Sequence, residues 1–278
     1  MINKINMNKA QWVMLLAVFL FAGCYNEKEG CLDPVALNFD VSADKDCCCT
    51  YPKLKLKVNY TVNDTASFSK LSYFEDVGGQ VYKIESFAFF LSHVEMKGGV
   101  GEWIDGEDSS EQWVFDMQGM PQKVAVSSNV VLIEDTKLTY DFGKFADYGS
   151  HDSVRFEIGM DDLQKTVIPD SLSEGHALGF GVDSMWVSPK VYLQQKWIVV
   201  TDTSVMNYKV DTFLVSGENV DFDLVYTPSV LLPKGEDYEL KIKVNIVKWL
   251  KGIDWQGDLD EISSKLGSNS TNAISLVQ

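Results

Sequence analysis

Leu54-Lys55-Leu56-Lys57-Val58-Asn59-Tyr60 alternates strictly between apolar and polar side chains. Successive residues of a strand point to opposite faces, so the stretch reads as a half-buried strand. The same period returns far along the chain, where Tyr238, Leu240, Ile242, Val244 and Ile246 alternate with charged or polar neighbours. Between these two, Val81 to Lys97 (VYKIESFAFFLSHVEMK) is long, aromatic and β-branched, which predicts a strand with a bend. Gly98-Gly99 and Gly101 follow it as a turn. Further strands are expected at Trp113 to Phe115, Val124 to Ile133 (interrupted by Ser127-Ser128-Asn129), Val154 to Ile158, Val191 to Val200, Asn207 to Val215 and Val220 to Tyr226. About nine strands with turn signals between them, and no long helices interleaved, predict an all-β antiparallel sandwich. The sandwich is expected over residues 53–256. In residues 257–278, Asp258 to Leu266 reads as one short helix with Gly267 after it, then a loose tail.

Residues 24–52 have a different character. Gly30 to Tyr51 (GCLDPVALNFDVSADKDCCCTY) is rich in Asp and Cys and has no hydrophobic period. Such a segment cannot fold by core burial alone and needs a staple. Cys31, Cys47, Cys48 and Cys49 allow three complete disulfide pairings. Two of these join adjacent cysteines and strain the intervening peptide. Cys31–Cys48 with Cys47–Cys49 avoids that, and one bridge from Cys31 with two free thiols is the other option. Asp33, Asn38, Asp40, Asp44 and Asp46 crowd oxygen ligands together, as a Ca²⁺ loop does, although the spacing is not that of an EF-hand. The competing reading is a solvated acidic turn capped by its own Asx bonds.

Residues 1–23 read as a targeting segment. Lys4 and Lys9 supply the positive start, and Trp12 to Phe21 (WVMLLAVFLF) is an apolar run too short to span a bilayer. It ends in Leu20-Phe21-Ala22-Gly23-Cys24, which looks like a bacterial lipobox with Cys24 as the lipidated residue. The expected product is a lipid-anchored outer-membrane protein, on the periplasmic face or at the cell surface, in a compartment where disulfides persist. The polar tether behind Cys24, and the Gly-Cys-x-Asp-Pro-x-Ala-x-Asn pattern at Gly30, Cys31, Asp33, Pro34, Ala36 and Asn38, resemble features of exported Bacteroidota proteins.

The chain carries a net charge of −16 and a single arginine, Arg155. Phosphate binding needs clustered Lys and Arg, so nucleic acid is excluded as a partner. Three histidines, and no Gly-x-Ser-x-Gly, His-Glu-x-x-His, phosphate loop or dinucleotide fingerprint, argue against an enzyme.

Several phrases in order carry a family resemblance. They are Leu54 to Val58, Tyr82-Lys83-Ile84, Phe89-Phe90-Leu91-Ser92-His93-Val94, Trp113-Val114-Phe115-Asp116, Val154-Arg155-Phe156-Glu157-Ile158-Gly159-Met160, Ser184-Met185-Trp186 and Val244 to Gly252. Over residues 53–255 the chain resembles the MbnP-like family, which is linked to the copper chelator methanobactin. The resemblance implies an exported, copper-associated β-sandwich in which histidine holds the metal. It also implies a dihaem peroxidase-like partner that oxidises a tryptophan to kynurenine. The family's Trp-x-Trp-x-x-Gly-Tyr motif stands here as Trp186-Val187-Ser188-Pro189-Lys190-Val191-Tyr192, without the second Trp and the Gly.

The sharpest chemical candidates are therefore soft-metal ligands. His176, His151 and His93, with the thioethers of Met185 and Met160, suit Cu(I). The cysteine triplet is a second soft-metal option. Trp186, Trp197, Trp249 and Trp255 are expected as core or rim residues, or else as oxidation targets or sugar-stacking platforms. Two functions follow: a copper-handling binding protein, or a cell-surface interaction module with no metal in the sandwich.

Overall fold

The computed structural model describes residues 26–106, 109–173, 175–179, 185–188, 191–202, 209–216 and 218–277. Residues 1–23, expected as a targeting segment, and Cys24, expected as the lipidated residue, lie outside the described residues. In chain order the strands are β1 (Glu29–Gly30), β2 (Lys45–Asp46), β3 (Lys53–Val62), β4 (Ala66–Ser67), β5 (Phe74–Glu75), β6 (Val81–Gly98), β7 (Trp103–Asp105), β8 (Ser109–Phe115), β9 (Pro121–Ser127) and β10 (Val130–Glu134). They continue as β11 (Thr139–Lys144), β12 (Gly149–Ile158), β13 (Trp186–Ser188), β14 (Val191–Tyr192), β15 (Gln195–Asp202), β16 (Lys209–Val215), β17 (Val220–Leu232), β18 (Tyr238–Asn245) and β19 (Ile274–Leu276).

Two sheets face each other, as the alternation predicted. The larger runs β16-β15-β6-β12-β17, with β5, β7 and β10 also paired to β6. The smaller runs β11-β3-β18-β19, with β4 against β3. Leu54, Leu56 and Val58 of β3 and Leu240, Ile242 and Val244 of β18 are fully buried between them, while their lysine neighbours face water. The two most regular strands of the sequence lie side by side and parallel, Leu54 beside Tyr238 through Thr61 beside Asn245. Parallel neighbours need a long crossover. Here that crossover is nearly the whole large sheet.

β6 is buried on both faces in its middle. Phe87, Phe89 and Leu91 enter the main core, and Ala88 and Phe90 enter a second, smaller core on the other side. That explains the unbroken apolar run from Phe87 to Leu91, since a strand covered on both faces loses its polar alternation. The β8–β9 hairpin and the chain around Met160, Val167, Leu178, Met185 and Tyr192 build this outer layer.

Three expectations are corrected. Val124 to Ile133 is two strands, β9 pairing with β8 and β10 with β6. Ser127-Ser128-Asn129 is therefore a switch between partners. The C-terminal helix runs from Leu259 to Ala273, straight through Gly267. A mid-helix glycine costs about 1 kcal/mol. Burial of Ile262, Leu266, Ser270 and Ala273 on one face offsets it, and Asp258 caps the start by accepting from the Asp260 and Glu261 N–H groups. The tail is not loose: Ile274–Leu276 is β19, hydrogen-bonded to β18.

The Asp/Cys-rich module is stapled by Cys31–Cys49, and Cys47 and Cys48 are free thiols. The bridge from Cys31 with two free thiols is the option realised, and the Cys31–Cys48 with Cys47–Cys49 pairing is not. A turn at Cys48, with φ +62°, swings Cys49 toward Cys31.

Candidate functional site

His93 sits at a β-bulge. β12 pairs Arg155 with Glu95 and Glu157 with Ser92, so β6 carries an extra residue between them. His93 takes the left-handed conformation, φ +52°, uncommon for a non-glycine residue. Asn129 fixes it. Its carbonyl accepts from the His93 N–H, its Oδ1 accepts from the Val94 N–H, and its Nδ2 donates to the Val94 carbonyl, each at 3.1 Å. The bulge throws the imidazole outward between two carboxylates. Nδ1 lies 3.3 Å from Glu157 and Nε2 3.4 Å from Asp161. Asn219 Nδ2 holds Glu157 from behind at 2.7 Å. The Asp161 bond, aided by Glu157 and opposed by burial, pushes His93 up to about 9. The ring is an imidazolium at neutral pH, with both nitrogens donating. A protonated imidazole has no lone pair for a metal.

His93 therefore acts as a clamp. Its raised pKa means that its contribution to stability is fully present below about 6.5 and is lost as pH rises through about 9. Asp161 is shifted the opposite way, held down by His93 and the Gln164 N–H against burial, so its share is lost as pH falls. His93→Gln should cost about 1–2 kcal/mol near pH 6, after screening of a part-exposed ring, and almost nothing near pH ~10. Urea unfolding at both pH values checks this, and an equal cost at both would refute the clamp.

His151 is also spoken for. It is buried on β12, with Nδ1 3.1 Å from the Gly149 carbonyl and Nε2 2.7 Å from Asp147. Neither nitrogen faces open space. His176 differs. Its Nδ1 accepts from the Leu178 N–H at 3.1 Å, and Nε2 has no hydrogen-bond partner among the described residues. Burial lowers its pKa, so the ring is neutral at pH 7. Leu178 belongs to the outer core together with Met160 and Met185, both buried thioethers. Tyr192 donates to the Leu178 carbonyl at 2.7 Å and ties the two stretches together. Of the five sandwich residues the sequence offered for copper, Met160 and Met185 share the outer core with Leu178, two residues along from His176, while His93 and His151 are committed elsewhere.

The oxygen-rich module spends its side chains locally. Asp33 accepts from the Val35 N–H, Asp44 from the Lys28 N–H and Asp46 from the Leu32 N–H. Asp40 accepts from Ser42 and pairs with Lys28 at 2.6 Å, and these bonds, the lysine's first, lower it to about 2. Asn38 bridges the Cys48 carbonyl and the Thr50 N–H. Among the described residues no three of these carboxylates converge. The one convergence of three ligand-type groups there is Cys31, Asp46 and Cys49, within 4.8 Å, and its two sulfurs form the bridge.

Trp197, Trp249 and Trp255 are buried in the main core. Trp186 is half-buried, edge-on to Tyr192 at 4.8 Å. None of the first three offers a stacking platform. Sequence reading did not find the polar groove of about 520 Å³ beside His93, lined by Glu95, Arg155, Glu157, Asp221 and Asp223. Arg155 pairs with Glu95 there and lies over Trp103, 4.4 Å from the ring centre. The alternation of charges on β12 was its visible signal. Its closure by β6 and β17 was not visible.

No protein-family model matches the chain, and no curated protein matches it in sequence. Among solved structures it is similar to MbnP from Methylosinus trichosporium, with a TM-score of 0.45 and 10% identity, over 81% of this chain and 99% of that one.

Proposed function

We propose that this is an exported, lipid-anchored, non-catalytic protein that binds Cu(I), with His176 as the imidazole ligand and Met185 as a thioether ligand. The observation that carries the reading is the state of the three histidines. His93 is a clamped cation and His151 has both nitrogens engaged, whereas His176 is neutral and half-buried, and its Nε2 has no hydrogen-bond partner among the described residues. Cu(I) favours soft ligands in an apolar surround, and the outer core beside Leu178 supplies both. Binding requires the ring to change tautomer and release the Leu178 N–H, a cost of about 1 kcal/mol. The Cys31–Cys49 bridge accords with an oxidising compartment, and the lipobox-like Cys24 with anchoring there.

The test is a Cu(I) titration of the full chain in detergent against bicinchoninate, with Cys47 and Cys48 replaced by serine. One equivalent should bind, and His176→Ala should weaken it about tenfold or more, as loss of a ligand or its support does. Met185→Leu should weaken binding while leaving the melting temperature of the metal-free protein nearly unchanged, because the swap conserves volume. Unaltered affinity in His176→Ala overturns the assignment.

One observation favours a second reading, a surface interaction with no metal in the sandwich. The groove beside His93 sets Glu95, Glu157, Asp221 and Asp223 against Arg155 and the imidazolium, leaving an excess of negative charge. Such a surface suits a cationic partner, and its binding would weaken with salt. Binding of a lysine-rich peptide that survives copper chelation and is lost in Asp221→Asn/Asp223→Asn would support it.

A further inference from the structure

We propose that the cleft between the C-terminal helix and the ends of β16 and β17 binds a linear oligoamine, a chain of ammonium groups joined by methylenes. The cleft has a volume of about 780 Å³, the size of a small-molecule site. Gln194 lines it and is more than nine-tenths buried. Almost every polar group of this residue is spent on the fold. Its N–H donates to the Val215 carbonyl at 2.8 Å, and its carbonyl accepts from the Phe90 N–H at 3.2 Å. Its Nε2 donates to the Ile158 carbonyl at 3.0 Å and also to the Glu218 carbonyl. Oε1 alone has no hydrogen-bond partner among the described residues. The fold thus holds this amide rigid and leaves one acceptor over for a ligand.

The rest of the lining asks for the same chemistry. The carboxylates of Glu218, Asp221 and Asp260 have no ion pair or hydrogen bond among the described residues, and no described lysine or arginine lines the cleft. A site whose unspent groups are acceptors selects a ligand rich in N–H donors. Negative charge without counter-charge selects a cation. Among the described residues the three carboxylates do not converge as the ligands of a metal ion do. The apolar side chains of Leu214 and Val220 share the lining with them. An oligoamine matches this, with separated ammonium groups and methylenes to lie on apolar surface. Gly267 keeps the space open. It sits inside the helix, where glycine is unfavourable, and a Cβ there would meet nothing within 4 Å.

The experiment is a calorimetric titration of the metal-free full chain in detergent with spermidine. One equivalent should bind, and added salt should weaken it. Gly267→Phe should weaken binding about tenfold or more, by filling the cleft. It should not lower the melting temperature, because phenylalanine is the better helix former and enters open space. Asp260→Asn, on the helix, should weaken binding about threefold, as loss of one exposed charge pair does. Asp223→Asn should leave it unchanged, since Asp223 lines the groove beside His93 and not this cleft. That separates this site from the cationic-partner reading of the groove. Two results would overturn the proposal. One is Gly267→Phe binding spermidine as tightly as wild type. The other is displacement of spermidine by magnesium ion at equal charge, as diffuse counterions around an acidic protein behave.

Discussion

Trp249→Ala should destabilise the protein by about 4 kcal/mol, the loss typical of a fully buried tryptophan. Trp249 has no exposed surface. Its ring meets Trp197 edge-on at 5.4 Å and Phe89 at 4.9 Å, so it joins the large sheet to the end of β18. Its Nε1 donates to the Leu266 carbonyl at 2.9 Å, which pins the C-terminal helix. Truncation removes apolar contact, opens a cavity and breaks the hydrogen bond that holds the helix to this ring. A domain is stable by only about 5–15 kcal/mol, so this variant should be close to unfolding at 37 °C. Guanidinium unfolding of wild type, Trp249→Ala and Trp249→Phe would measure the effect. The phenylalanine variant should recover more than half of the loss. A cost below about 1.5 kcal/mol for alanine would mean that the helix does not depend on this contact.

Asn129→Ala should cost about 2–4 kcal/mol and should release His93. Asn129 is buried, and its side chain satisfies both the N–H and the C=O of Val94. Alanine leaves two buried backbone groups unpaired, at about 1–3 kcal/mol each, with partial relief by water. The second consequence is electrostatic. With the bulge free to relax, His93 should leave Glu157 and Asp161, and its pKa should fall from about 9 toward its ordinary 6.5. NMR titration of the His93 ring in wild type and variant reads this directly. A pKa that stays near 9 in Asn129→Ala would show that the carboxylates hold the ring without the bulge.

These two residues show what the sequence carried and where it stopped. Trp249 follows a strand of perfect alternation, and burial was its expected fate. Strand periods are local, and β3 and β18 could be read without any partner. Asn129 was visible only as part of an interruption. Its work depends on Val94, thirty-five residues away, and nothing in a local pattern states that distance. His93 was a candidate by residue type, but its neighbours Glu157 and Asp161 come from another strand and the turn after it. Gly267 misled because a glycine is a stop signal only where no buried face carries the helix on. The cysteine run misled differently. Adjacent-residue strain argued only against bridges between neighbouring cysteines and left Cys47–Cys49 open, and the choice of Cys49 as the partner of Cys31 rests on the turn at Cys48. The copper candidates were selected from three histidines without knowing which nitrogens would be occupied, and occupancy is a property of the tertiary fold alone.

The most direct test of the copper account is X-ray absorption at the copper edge, on full chain carrying Cys47→Ser and Cys48→Ser and loaded with one equivalent of Cu(I). The account predicts a mixed shell of one imidazole nitrogen and at least one thioether sulfur, with the imidazole scattering lost in His176→Ala. A shell of light atoms alone, or imidazole scattering that survives in His176→Ala, would contradict it.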